Sequence, residues 1–394
     1  MARRSHAATN GRPSGFCALA RRRGSGVHYD PPVDTLTRVL ARGSRSNQLL
    51  RAGLLAFAVP FFLYSDVIHL LGYTVGVDLE IPLRAAERWT AGGQPYLASA
   101  FATNGGVAAP FLYPPYVLPF LGALLAVPRA ILTFLWLALC AACLGIVLRR
   151  LRLPIALWPL VVIWPPALEG LIGGNPQLPV LALFTTALWV DSPPPADRAF
   201  GRRFSERGNG IIGASAAAAA SVAIKVSHPH AWLYVLRRRP REAIVGASLI
   251  VALIALTVPI TGLQLWGDWL NQIRLAADPA WPLGGIAVSR FVSVAFGVAV
   301  VLLLIVAVIS VVPAHHAGAW IGILTVVGAP SLHNFAMLFL LPAMLLIRAE
   351  IALFAAILMA TTTYQGTWVG IIVVAIAMLA ARRNAGLLER PPPA

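Results

Sequence analysis

An all-α integral membrane protein of about twelve spanning helices is the fold this sequence predicts, on three observations. Hydrophobic residues make up 58% of the chain and charged ones 12%, with a mean hydropathy of +0.75, far more apolar than a water-soluble domain tolerates. Apolar runs of about 20 residues, enough to cross roughly 30 Å of hydrocarbon, recur from Leu49 to the C-terminus. Between them fall short basic segments, the positive-inside pattern of cytoplasmic loops.

That pattern accounts for a net charge of +16, which in a soluble protein would point to nucleic acid; no nucleic-acid partner is expected here. All but one of the 31 basic residues are Arg, and with abundant Ala, Gly and Pro this suggests a GC-rich bacterial genome and a plasma-membrane location. Cys17, Cys140 and Cys143 make neither a disulfide framework nor a metal-ligand pattern.

Residues 1–48 read as a disordered basic cytoplasmic tail, 49–384 as one polytopic domain, and 385–394 as a second cytoplasmic tail. Arg42, Arg45 and Arg51 flank the first span, Ala52 to about Gly72, which therefore exits outward. A first outer loop follows, 73–128. Its "DLEIPLRAAERWTAGGQPY" sets Leu79, Leu83, Ala86 and Trp89 against Glu80, Arg84, Glu87 and Arg88, an amphipathic helix suited to the interface. Tyr113 to Pro128 is apolar but short and carries four prolines, so a second interfacial or partly inserted helix is expected.

Ile131–Leu148 is the second span and delivers Arg149–Arg152 to the cytoplasm. Pro154–Leu171 runs outward, "GGNPQ" turns outside, and Leu178–Val190 returns to "DRAFGRRFSER". Ile211–Lys225 goes out, "SHPHAWLYVL" comes back to Arg237–Glu242, and Ala243–Gly262 exits to an outer segment, Leu263–Arg290. Phe291 onward returns inward to His315 and His316, and four more crossings place "PSLHN" and "TTYQGT" outside with "RAE" and "ARRN" inside. Both termini are then cytoplasmic.

Ionisable groups near the outer ends of the helices are Asp66, Asp78, Glu80, Glu87, Glu169, Lys225, His228, Arg290 and His333. Such groups are costly at a membrane boundary and are functional hypotheses by default. Asp78 can act as a general base at the membrane surface, or simply as a helix N-cap. Lys225, with His228, can hold a lipid phosphate or snorkel; His333 has an equally plain structural reading. "GGNPQ" and "FLYPP" present Asn175, Gln177 and Tyr113 as exposed turn residues suited to sugar recognition, although turn chemistry alone explains Gly, Pro and Asn. Trp266, Trp269 and Trp281 read as an interfacial aromatic belt.

No GxxxxGK[ST], HExxH or GxSxG occurs, nor a Rossmann fingerprint in context or a DxD pair of the metal-dependent nucleotide-sugar type. ATP-driven transport, the common hydrolase chemistries and a nucleotide-sugar donor therefore lack support.

The motif order "VDLEIPLRAAERWTAGGQPY", "FLYPP", "GGNPQLPVLAL", "AIKVSHP" with its Arg cluster, and "PSLHNFAMLFLLP", over about Tyr73 to Pro342, resembles the GT-C polytopic glycosyltransferases. Within them it is similar to the family 87 enzymes of actinobacteria that use polyprenyl-phosphate sugars. The resemblance implies a GT-C-like bundle and an inverting transfer, with no metal and no cofactor, from a polyprenyl-phosphate donor to a glycolipid or lipid-linked glycan. It implies Asp78 as the base; Lys225, His228, His333, Arg290, Glu80, Tyr113, Asn175 and Gln177 are the candidate donor-binding residues. Mannose is favoured, with arabinofuranose the alternative sugar. Where the family commonly shows a Tyr four residues after "DL", this chain has Leu83 in that neighbourhood, beside Pro82.

Two other classes compete. A flippase for lipid-linked sugars predicts internal repeats and polar residues at the bilayer midplane, and a non-catalytic scaffold predicts that Asp78 is dispensable.

Overall fold

The computed structural model describes residues 45–71, 74–97, 99–100, 108–109, 111–189, 230–276, 287, 292–312, 314–329, 332–361 and 363–388. Among these the protein is a helical bundle, with one two-residue antiparallel ladder pairing Ser99–Ala100 with Ala108–Ala109.

Three helices are long and apolar enough to cross a membrane: α1 (Arg45–Leu70), α4 (Arg129–Arg150) and α9 (Pro240–Thr261). At 1.5 Å per residue, the 22 residues of α4 reach about 33 Å, which matches a hydrocarbon core. Their surfaces identify the solvent. On α1, Ala58, Phe62 and Asp66 are buried at successive i, i+4 positions, whereas Phe57, Leu63, Tyr64 and Val67 face outward. An apolar outer face is what a lipid-facing helix presents.

Between α1 and α4 lie α2 (Val77–Thr90), a 3-10 turn (Pro115–Val117) and the short α3 (Leu118–Leu124). The amphipathic helix expected after the first span thus forms as the sequence predicts. The proline-rich segment after it is a pair of short helical pieces rather than a span. Leu79, Leu83 and Ala86 of α2 bury against Phe111, Leu118 and Leu121 in a small separate core, and Glu80 and Glu87 both pair with Arg129 at the start of α4.

The expected span Pro154–Leu171 is bent in two. A 3-10 turn (Ile155–Leu157) leads into α5 (Trp158–Val162), and after a break α6 (Pro165–Gly173) departs at 73°. Pro165 and Pro166 cannot donate to a preceding turn, and Trp164, before Pro165, is driven to extended backbone with ψ 122°. Then α7 (Gln177–Trp189) runs through the middle of the molecule. Leu178, Val180, Leu181, Phe184 and Leu188 are all buried, so this helix is apolar on every side.

The C-terminal half adds α8 (His230–Arg238), α10 (Leu263–Ala276), α11 (Val294–Val311), α12 (Ala314–Val327), a 3-10 helix (Asn334–Leu340) continuing into α13 (Leu341–Met344), α14 (Ala349–Met359) and α15 (Tyr364–Leu388). The eleven residues of α14 reach only about 16 Å, too short to cross alone. Among the described residues the long apolar helices number three, or four if the bent α5–α6 pair is one span. The expected span 211–225 lies outside the described residues.

Helices α1 and α14 share a polarity. Arg51 near the start of α1 pairs with Glu350 at the start of α14 at 3.1 Å, and Ser65 further along donates to the Ala360 carbonyl at 2.9 Å, so the two run in the same direction. Residues that the charge pattern assigns to one side, Arg51 and Arg348–Glu350, therefore meet at one end of the bundle.

Candidate functional site

At the other end, helix α2 begins at Gly76, whose φ of 76° is left-handed and open to glycine at no steric cost. The Gly76 N–H donates to the Ile172 carbonyl at 2.8 Å, pinning the start of α2 to the last turn of α6. A Cβ at this position would stand 2.8 Å from the Thr133 methyl. Gly76, not Asp78, is thus the N-cap. Asp78 occupies the first turn of α2, where the helix dipole favours its negative charge.

The carboxylate is held from α7's side. Asn175 Nδ2 donates to Asp78 Oδ2 at 2.8 Å. The same Asn175 accepts the Gln177 N–H on Oδ1 at 2.9 Å, which fixes its amide orientation and caps α7. Its backbone N–H donates to the Gly170 carbonyl at 2.9 Å, and its own carbonyl receives the Cys140 thiol at 3.8 Å. Gly174, at φ 66°, makes the turn, and its carbonyl accepts the Trp136 indole N–H at 2.6 Å. The expectation of exposed turn residues is corrected here: Asn175 is 6% exposed and Gln177 is fully buried, because α4 closes over the turn.

Tyr113 lies within electrostatic reach of the same carboxylate. Burial, and after it the Asp78 charge, push its hydroxyl well above the ordinary phenol value, so it stays a neutral donor. Its segment is clamped: the Tyr96 hydroxyl donates to the Tyr113 carbonyl at 3.2 Å, and the Trp269 indole to the Leu112 carbonyl at 3.1 Å. Trp266 packs edge-on against Trp269 and against Tyr116, so these two tryptophans serve the loop as packing and hydrogen-bonding groups. Gln94 reaches across to Asp268 at 2.9 Å, a second tie between the loop and α10 that the sequence does not advertise.

A second carboxylate also belongs to this end. Glu169 lies on α6, one turn before Ile172; its side chain is hydrogen-bonded to Asn334 and lies within electrostatic reach of Asp78. Reading the sequence singles out Glu169 only as one of several boundary charges and does not name Asn334; the "LHN" string was the available signal. His333, beside Asn334, caps the 3-10 helix through extended backbone and stacks on Phe335 with ring centres 5.4 Å apart.

The structure therefore brings together Asp78, Tyr113 and the Asn175–Gln177 turn from three separated motifs. Glu80 turns to Arg84 and Arg129 at 3.0 and 3.6 Å, since residues two apart on a helix do not share a face. Lys225, His228, Arg290 and Trp281 lie outside the described residues. Chemically, an aspartate oriented by a rigid amide, with a neutral phenol nearby, can accept a proton and hydrogen-bond hydroxyls.

No family model, no curated protein and no solved structure matches this chain.

Proposed function

We propose that this protein is a membrane glycosyltransferase that moves a sugar, mannose by preference, from a polyprenyl-phosphate donor to the hydroxyl of a glycolipid or lipid-linked glycan on the periplasmic face of a bacterial plasma membrane. The observation that carries this reading is the Asp78 carboxylate, fixed by Asn175 at the junction of an amphipathic helix with the bundle. Lipid-linked donor and acceptor both present polar heads at that level, and holding them side by side makes their encounter nearly unimolecular.

In the proposed step Asp78 takes the proton of the acceptor hydroxyl as its oxygen bonds to the anomeric carbon. The bond from that carbon to the phosphate oxygen breaks on the opposite face, and polyprenyl phosphate leaves with the electron pair, inverting the centre. Tyr113 and Glu169 supply a neutral donor and an acceptor for sugar hydroxyls, and the basic residues Lys225 and Arg290 would meet the departing phosphate.

The test is turnover of labelled polyprenyl-phosphomannose, with the arabinofuranosyl donor in parallel, by purified protein and by Asp78→Asn. Transfer by the wild type and its loss in the variant at equal protein level support the reading. Translocation of the donor without bond cleavage establishes a flippase instead, equal transfer by Asp78→Asn rules out Asp78 as the base, and no turnover together with full complementation of a deletion strain by Asp78→Asn establishes a scaffold.

A further inference from the structure

The end of the bundle remote from Asp78 holds a cavity of about 290 Å³, walled by α1, the end of α4, α5, α13 and α14. Leu55, Phe62, Leu151, Leu160, Met344 and Ala352 are among its lining residues, and the one charged group in the wall among the described residues is Arg51. Along α1 it runs from Arg51 to Phe62, eleven residues or roughly 16 Å of helix, and it ends at Trp164, where α5 gives way to α6. A slot of this length and lining fits an extended hydrocarbon chain, not a polar metabolite.

Charge decides which chain. Arg149, Arg150 and Arg152 interleave with the lining residues Leu148, Leu151 and Leu153, and Arg348 lies between the lining residues Ile347 and Ala349. Among the described residues five arginines thus lie on or beside the lining segments, and the carboxylate Glu350 is shared by two of them, Arg51 and Arg348. The Arg348 side chain is 61% exposed, so it can turn to a headgroup. An apolar slot opening under basic residues at a helix-bundle end is the arrangement that recognises anionic lipid headgroups.

We propose that this cavity binds an anionic phospholipid of the adjoining leaflet, with one acyl chain in the slot and its phosphate at Arg348 and the arginines after α4. The site is independent of the transfer chemistry and stands whether or not that chemistry is confirmed.

The experiment uses the full-length protein in detergent, titrated with phosphatidylglycerol or with phosphatidylcholine of the same chains, read by thermal unfolding and by mass spectrometry of the intact protein with retained lipid. Phosphatidylglycerol is expected to be retained about fivefold over phosphatidylcholine, the worth of about one basic contact to lipid, and to raise the unfolding temperature further. Ala352→Phe fills the slot and should abolish that preference; Arg348→Gln should reduce it while Arg51 keeps its bond to Glu350, and decides the matter if the first variant does not fold. Equal retention of the two lipids, an unchanged preference in Arg348→Gln, or an equal shift from glycerol phosphate alone each overturns the proposal.

Discussion

The side-chain amide of Asn175 spans 2.8 Å to the carboxylate of Asp78 and so joins two segments nearly a hundred residues apart in sequence. Because the other end of that amide is engaged by the Gln177 N–H, the group cannot rotate without breaking a second bond. The orientation of Asp78 is thereby set by the turn between α6 and α7 and not by α2 alone.

Replacing Asn175 with Ala should therefore lower the rate of transfer by about ten- to a hundredfold, with a smaller effect on donor KM, since a base held loosely loses orientation before it loses basicity. In an Asp78→Asn background the same change should add little to the loss. Steady-state kinetics of the two single variants and the double variant measure this coupling.

Gly76→Ala should destabilise the protein by about 1–3 kcal/mol, from left-handed backbone strain together with the 2.8 Å approach to the Thr133 methyl. Adding Thr133→Ala should recover the steric part and leave the strain of about 1 kcal/mol. Thermal unfolding in detergent separates the two; full recovery by the second substitution would mean that φ costs nothing here.

Trp136→Phe keeps most of the ring volume but deprives the Gly174 carbonyl of its donor, a loss of about 1 kcal/mol. The turn that carries Asn175 should loosen, and transfer should fall more than unfolding temperature does. Hydrogen exchange over residues 173–177 should rise in this variant.

Tyr113→Phe should lower transfer by the same factor at every pH from about 6 to 9. The raised value of the Tyr113 hydroxyl keeps it protonated throughout that window, so the variant removes a neutral donor and no titrating group. A change in the shape of the pH–rate profile would contradict this assignment.

What the sequence displays most clearly is period. The amphipathic spacing of Leu79, Leu83 and Ala86 is enough to place α2, and the uncharged run from Ala130 to Val147 is enough to place α4. Burial of Asn175 is another matter, since Gly, Asn and Pro read as a surface turn until Trp136 and Cys140 are seen to close over it. The partnership of Glu169 with Asn334 is equally hidden, because no local pattern links a helix interior to a distant 3-10 start. Hydropathy averaging also smooths across "WPPALEG", and so merges two helices that the consecutive prolines separate. A short element such as α14 carries an apolar signal like that of a full span, and only the folded structure reveals its length.

A helix that starts within a bilayer ordinarily leaves four amide hydrogens facing hydrocarbon. At the α5–α6 break two of the four do not exist, because Pro165 and Pro166 have none, and the other two, from Trp164 and Ala167, reach the Val161 carbonyl at 3.2 Å and the Trp164 carbonyl at 2.8 Å. The Trp164 indole in turn donates to the Ala356 carbonyl of α14. The chain can thus change direction at this depth without water, which lets a rigid hinge-free elbow, instead of a hydrated loop, aim α6 at the aspartate.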